Sequence, residues 1–166
     1  MVSGVMGKVA GIVVSTVALL AVVVHGSAVA QPHEGQAAVG RAGSTAAGTT
    51  AVWQRHIGAW GRQDLDAIMS DYTEDAVLVL NNQVYEGRAA IRPVFERLFD
   101  IFGQGDNRID EPVIRAGLVH ITWHFTPHGS PAPVFGTDTF VVKGDAIAVQ
   151  TIASPLYERY PVRAAA

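Results

Sequence analysis

Asp138 stands in the stretch FGTDTFVVKGD, residues 135–145, among threonines, valines and phenylalanines. Alternate side chains of a strand point to opposite faces. Val134, Gly136, Asp138, Phe140 and Val142 therefore share one face, and Phe135, Thr137, Thr139, Val141 and Lys143 share the other. The carboxylate falls on the more apolar side, where it is expensive to keep without a partner. Two readings follow. It is a structural group satisfied by His56 or a backbone amide, or a working acid–base group whose pKa desolvation pushes upward. His56 is the second candidate. It lies in AVWQRHIGAW, one helical turn after Val52 and one before Trp60. It is either a satisfied core histidine or an acid–base partner held in one tautomer by Asp138. A charged His56 would pull the Asp138 pKa back down, so burial and pairing compete.

Other chemistries find less support. His120 and His124 have the H-x-x-x-H spacing that chelates zinc on a helix. The alternation of LVHITWHFTP makes this segment a strand, which separates the two rings by about 13 Å, too far for one metal. No metal site and no cofactor is expected. There is no glycine-rich phosphate loop, no G-x-S-x-G elbow and no cysteine. Trp60, Trp123 and Phe140 are the expected pocket walls, because parity carries them toward Asp138. Gln150 is the expected polar side chain of the cavity.

The elements that must position these groups can be read from periodicity. Trp53, Ile57 and Trp60 recur at helical spacing, with Val52, His56 and Ala59 as the adjoining row. Asp64 is an N-cap candidate for a second helix with Leu65, Ile68, Met69 and Tyr72 as its apolar stripe. AVLVLNNQVYEG reads as strand, turn and short strand. In the following GRAAIRPVFERLFDIFG, Ile91, Phe95, Leu98 and Phe102 share one helical face. NRIDEPVIRAG, LVHITWHFTP, PVFGTDTFVVKG and AIAVQTIAS are four strand-like runs. In LVHITWHFTP, Val119, Ile121, Trp123 and Phe125 should face the helices. Helices followed by a run of antiparallel strands indicate an α+β fold.

The 166-residue chain is long enough for one domain with a real core; 49 % of it is apolar, a share inflated by the N-terminus. Residues 1–30 carry a lone Lys8, an uncharged apolar run from Val9 to Val24, and Ala28 and Ala30 as an A-x-A site. This is the plan of a secretory signal peptide, cleaved near Ala30, so the domain is expected to be exported to the periplasm or beyond. The membrane then enters only through that segment. Residues 31–48 are expected to be a flexible linker, 49–160 the domain and 161–166 a tail. The net charge is −3, and −4 once Lys8 is lost. With arginines scattered singly, no nucleic-acid partner is expected.

Three stretches in order, QDLDAIMSDYTEDAVL, YEGRAAIRPVFERLF and GTDTFVVKGDAI, resemble the SnoaL-like and ketosteroid-isomerase-like proteins of the nuclear transport factor 2-like superfamily. The resemblance runs from about Val52 to Ser154. It implies a curved antiparallel sheet wrapped as a cone around three N-terminal helices, with an apolar pocket at the open end. It also implies roles. His56 aligns with an oxyanion-holding tyrosine, Asp138 with a protonated aspartic acid of the same oxyanion hole, and Leu80 falls where the isomerases carry their general base. Without that base, ketosteroid isomerisation by the family route is not expected, and the single pocket aspartate is closer to the polyketide cyclases of the group. The expected activity is acid–base isomerisation, cyclisation or dehydration of a small apolar molecule by Asp138 and His56. The alternative is a non-catalytic ligand-binding or dimeric accessory protein. The mixed face of Leu118, His120, Thr122 and His124 allows a sheet-to-sheet homodimer.

Overall fold

A computed structural model describes residues 43–162. The expected signal peptide, residues 31–42 of the expected linker and most of the expected tail lie outside the described residues. In chain order the elements are α1 (Ala46–Gly61), α2 (Leu65–Ser70), β1 (Tyr72–Leu80), β2 (Gln83–Glu86), α3 (Arg88–Phe102), β3 (Gly105–Ile109), β4 (Val113–Arg115), β5 (Leu118–Pro127), β6 (Val134–Lys143), β7 (Ala146–Ala153) and α4 (Leu156–Arg159).

α1 starts inside the segment expected to be linker. Thr45 caps it, accepting from the Gly48 amide at 3.0 Å, and the Ser44 hydroxyl donates to the Val142 carbonyl at 2.9 Å. These small polar residues have little to bury, yet they satisfy orphan amides of the first turn and tie the entry of the helix to the sheet. α2 ends at Ser70 rather than carrying on to Tyr72, which instead opens β1. Asp64 caps α2 as expected, accepting from the Ala67 amide at 3.0 Å.

The strands form one open sheet in the order β2-β1-β7-β6-β5-β3, with β4 pairing β5 beside β3. The run NRIDEPVIRAG splits into β3 and β4 because Pro112 has no amide to give the ladder. The sheet is curved, as the resemblance implied, and unclosed, and it departs from the expected antiparallel pairing at one place: β1 runs parallel to β7. That pairing follows from the chain path. The β1–β2 hairpin is made before α3, and the chain returns only after β6 to lay β7 along the free side of β1. Asn81 and Asn82 make the hairpin turn with φ of 42° and 69°, the primed geometry that the twist of paired strands favours.

Val119, Ile121, Trp123 and Phe125 are all buried against the helices, as their alternation indicated. On α1 the row of Val52, His56 and Ala59 lies deepest with Trp53, while Ile57 and Trp60 are partly buried at the edge of the core. α3 closes the other side with Ile91, Val94, Phe95, Leu98 and Ile101. The space these faces leave between them is where the candidate chemistry lies.

Candidate functional site

β6 and β5 are registered so that Ile121 faces Asp138 and Trp123 faces Gly136. Trp123 therefore meets Asp138 on the diagonal, which suits a long side chain reaching across a strand pair. Its indole can take that path only because residue 136 is glycine: a Cβ there would lie 2.1 Å from Trp123 Cζ2. The indole Nε1 donates to Asp138 Oδ1 at 2.8 Å. On the opposite side, Gln150 of β7 donates from Nε2 to Asp138 Oδ2, also at 2.8 Å. The Tyr72 hydroxyl donates in turn to Gln150 Oε1, which fixes the way the amide points. Asp138 is 9 % exposed. Burial pushes its carboxyl up to about 6, and the two donors act against that rise without cancelling it.

His56 has a different carboxylate. Its Nδ1 lies 3.2 Å from Asp71 Oδ2, and the Arg55 guanidinium donates to Asp71 Oδ1. Asp71 is fully buried at the end of α2. Burial raises its pKa, but the hydrogen bonds and charge interactions with His56 and Arg55 together outweigh this, so the carboxyl sits below its ordinary value. The expected direct pair of His56 with Asp138 is thus replaced by two separately satisfied groups. The physical reason is proximity: α1 and α2 form a tight helical corner that brings Asp71 to Nδ1, while both oxygens of Asp138 are already engaged by its sheet neighbours. Among the described residues His56 Nε2 has no hydrogen-bond partner.

Both groups line the same inner chamber, of about 50 Å³, together with Trp60, Trp123, Phe140 and Gln150. The sequence-predicted pocket residues therefore converge, with one exception. Leu80 is buried in the core at the hairpin end of β1 and does not line the chamber. β7 stands between β1 and the strand of Asp138, and the inward neighbour on that strand is Gln150. The chamber shares Ile57, Trp60, Phe102, Asn107 and Ile109 with an outer cleft of about 400 Å³, so the two adjoin. His120 and His124 lie apart from it: His120 Nδ1 is 2.9 Å from Thr139 Oγ1, and His124 Nε2 is 3.0 Å from Asp110 Oδ2.

Four contributors were missed in the sequence. Asp71 and Tyr72 look like an ordinary helix end, Gly136 like strand filler, and Tyr157 like part of a C-terminal extension. Tyr157 is buried against Trp123 and lines the chamber; burial and then the Asp138 charge hold its hydroxyl proton well above the ordinary range. Only the coincidence of Tyr72, Gln150 and Asp138 as polar residues in core-facing positions could have signalled the chain of bonds.

Residues 53–150 match the model of the SnoaL-like domain. No curated protein matches the chain. Among solved structures, a protein of Xanthomonas campestris with a provisional polyketide cyclase name is 23 % identical, over 69 % of this chain and 95 % of that one, with a TM-score of 0.53. A protein of Kribbella flavida with a provisional ketosteroid isomerase name is 14 % identical, over 72 % and 92 %, at 0.54. An uncharacterised cystatin-fold protein of Novosphingobium aromaticivorans is 23 % identical, over 63 % and 96 %, at 0.53. Likeness at this level carries the fold and nothing finer.

Proposed function

The chain belongs to the SnoaL-like domain family, and from that premise we propose that it performs acid–base chemistry on a small, mostly apolar molecule. The observation that carries this reading is one chamber lined by two ionisable groups in opposite settings. Asp138 is desolvated and held near 6, and His56 is backed on Nδ1 by a buried carboxylate and free on Nε2 among the described residues. At neutral pH the ionised Asp138 takes a proton from a carbon or hydroxyl next to a carbonyl. In its imidazolium form, with Nδ1 donating to Asp71, His56 donates from Nε2 to the oxygen on which negative charge develops. Returning the proton to another carbon gives isomerisation; delivering it to a departing hydroxyl gives dehydration and releases water. The base that the isomerases carry elsewhere is not needed, because Asp138 itself accepts the proton.

Turnover of a panel of small cyclic and aromatic ketones and hydroxyketones by wild type and Asp138→Asn tests this. The expected result is turnover lost in the variant with binding retained. No turnover of any compound by the wild type, with unchanged binding in the variant, sinks the catalytic reading.

A second reading, a ligand-binding protein without turnover, is favoured by the small volume beside Asp138. About 50 Å³ admits a head group but not a drug-sized body, which would have to remain in the outer cleft. Export is part of the proposal on the strength of residues 1–30 alone. A homodimer through the outer sheet face is supported by the exposure of Phe135 and Leu118. Amino-terminal sequencing of the expressed protein and sedimentation analysis test these two points.

A further inference from the structure

Among the described residues, Asp138 is the one carboxylate lining the inner chamber, and neither the chamber nor the outer cleft is lined by a lysine or arginine. Both side chains bonded to Asp138 are donors. An indole N–H can only donate. Gln150 turns its amide nitrogen to the carboxylate because its oxygen receives the Tyr72 hydroxyl. A protonated carboxyl would have to aim its own hydrogen past one of these donors, so the network suits the anion. A carboxylate has about four acceptor positions, and two are used here. The rest of the wall is aromatic, with Trp53, Trp60, Phe95, Phe140 and Tyr157 around the carboxylate and its indole partner. Electron-rich ring faces attract a desolvated cation.

We propose that the ligand of this cavity carries a protonated amine, seated in the inner chamber against Asp138, with an aryl or branched alkyl body in the outer cleft. The inference rests on the cavity being the ligand site and does not require catalysis there. An ammonium group offers up to three donors to a carboxylate with free lone pairs and is compact enough for about 50 Å³. A ligand carboxylate or phosphate would face Asp138 with no lysine or arginine in the lining to offset the repulsion. A carbonyl oxygen can only accept and leaves the Asp138 lone pairs unused. The outer cleft supplies Trp60, Phe99, Phe102, Ile57 and Ile109 to an apolar body, and its polar rim is Gln63 and Asn107.

The binding depends on pH in one direction. His56 from α1, Tyr72 from β1 and Tyr157 from α4 are the other titratable groups around Asp138, with Asp71 behind His56. α3 contributes only Phe95, Leu98 and Phe102. The two tyrosines keep their protons well into the alkaline range. Acid removes the Asp138 charge, and that disfavours a cation.

Calorimetric titration of the full chain with 2-phenylethylamine, 2-phenylethanol and 3-phenylpropionate, at pH 8 and pH 5, tests the proposal. The amine stays protonated throughout. At pH 8 it is expected to bind about tenfold or more tightly than the alcohol, and the acid not at all. At pH 5 the preference for the amine should fall severalfold. Asp138→Asn should lose the preference while keeping the alcohol, and Asp110→Asn, outside the cavity, should keep both. Equal binding of amine and alcohol at pH 8, a preference unchanged at pH 5, or no binding of any of the three at millimolar concentration overturns it. Should Asp138→Asn fail to fold, the wild-type comparison at two pH values decides. Amine preference with no turnover of the ketone panel removes the catalytic reading alone; turnover without amine preference removes this inference alone.

Discussion

Trp123 Nε1 donates to Asp138 Oδ1 at 2.8 Å by crossing over Gly136, the residue directly opposite it on the neighbouring strand. The contact joins three links. A glycine leaves room on the face of β6, a tryptophan fills it from β5, and the indole N–H reaches the only carboxylate that lines the chamber among the described residues.

Gly136→Ala should break this arrangement. The new methyl would sit 2.1 Å from the indole, so Trp123 must leave its place or the strands must part. Overpacking of this kind costs about 1–3 kcal/mol. Denaturant unfolding should show that loss, and the intrinsic tryptophan emission should shift as one indole loses its carboxylate partner. Full stability with unchanged emission would place the Trp123 ring elsewhere.

Trp123→Phe keeps the ring and removes the donor. Since the Trp123 hydrogen bond lowers the Asp138 pKa, its loss should move the titration above about 6. The Asp138 carboxyl carbon, followed by NMR through a pH titration, reads this directly. Gln150→Leu should move it the same way, for the same reason.

The raised Asp138 pKa fixes the sign of a stability effect. The carboxyl goes from an ordinary 3.8 in the unfolded chain to about 6 in the fold, so the native state binds the proton more tightly. The stabilisation is fully present below pH 3.8 and is lost as pH rises through about 6. Asp138→Asn should therefore be more stable than wild type at pH 8, by roughly 1–2 kcal/mol, and near wild type at pH 4. The asparagine can be accommodated if Gln150 flips its amide and Tyr72 accepts from it. Thermal melts at the two pH values check the crossing. A variant less stable at pH 8 than at pH 4, relative to wild type, contradicts the buried-charge reading.

Asp71 has the opposite sign. Its carboxyl lies below 3.8 in the fold, so its contribution is present at neutral pH and lost as pH falls through the folded pKa. Asp71→Asn should lower stability by about 2 kcal/mol at pH 7, because His56 and Arg55 lose a charged acceptor. Turnover, where found, should fall as well, since His56 is no longer fixed through Nδ1. His56→Gln should lose turnover with a smaller change in stability. Melts and rates measured on the two variants together separate the positioning role of Asp71 from a purely structural one.

Much of this molecule was legible in its residues. The alternation of Val119, Ile121, Trp123 and Phe125 gave the inward face of β5, and the parity of residues 134 to 142 turned Asp138 toward the core. Both follow from a period of two, which needs no knowledge of neighbours. The asparagine turn was legible for a similar reason, because left-handed backbone selects few residue types. The partners of the ionisable groups were not. Asp71 lies fifteen residues from His56 in sequence, and Gln150 lies twelve from Asp138. Nothing in either spacing makes one pair meet and another not. That depended on the α1–α2 corner and on the register of β7 against β6, which packing of the whole core sets. The sequence by itself determined which way β5 and β6 face. Only the tertiary structure decided which carboxylate holds His56 and left Asp138 to its two sheet neighbours, because hydrogen bonds are short-ranged and only the folded chain brings their ends together.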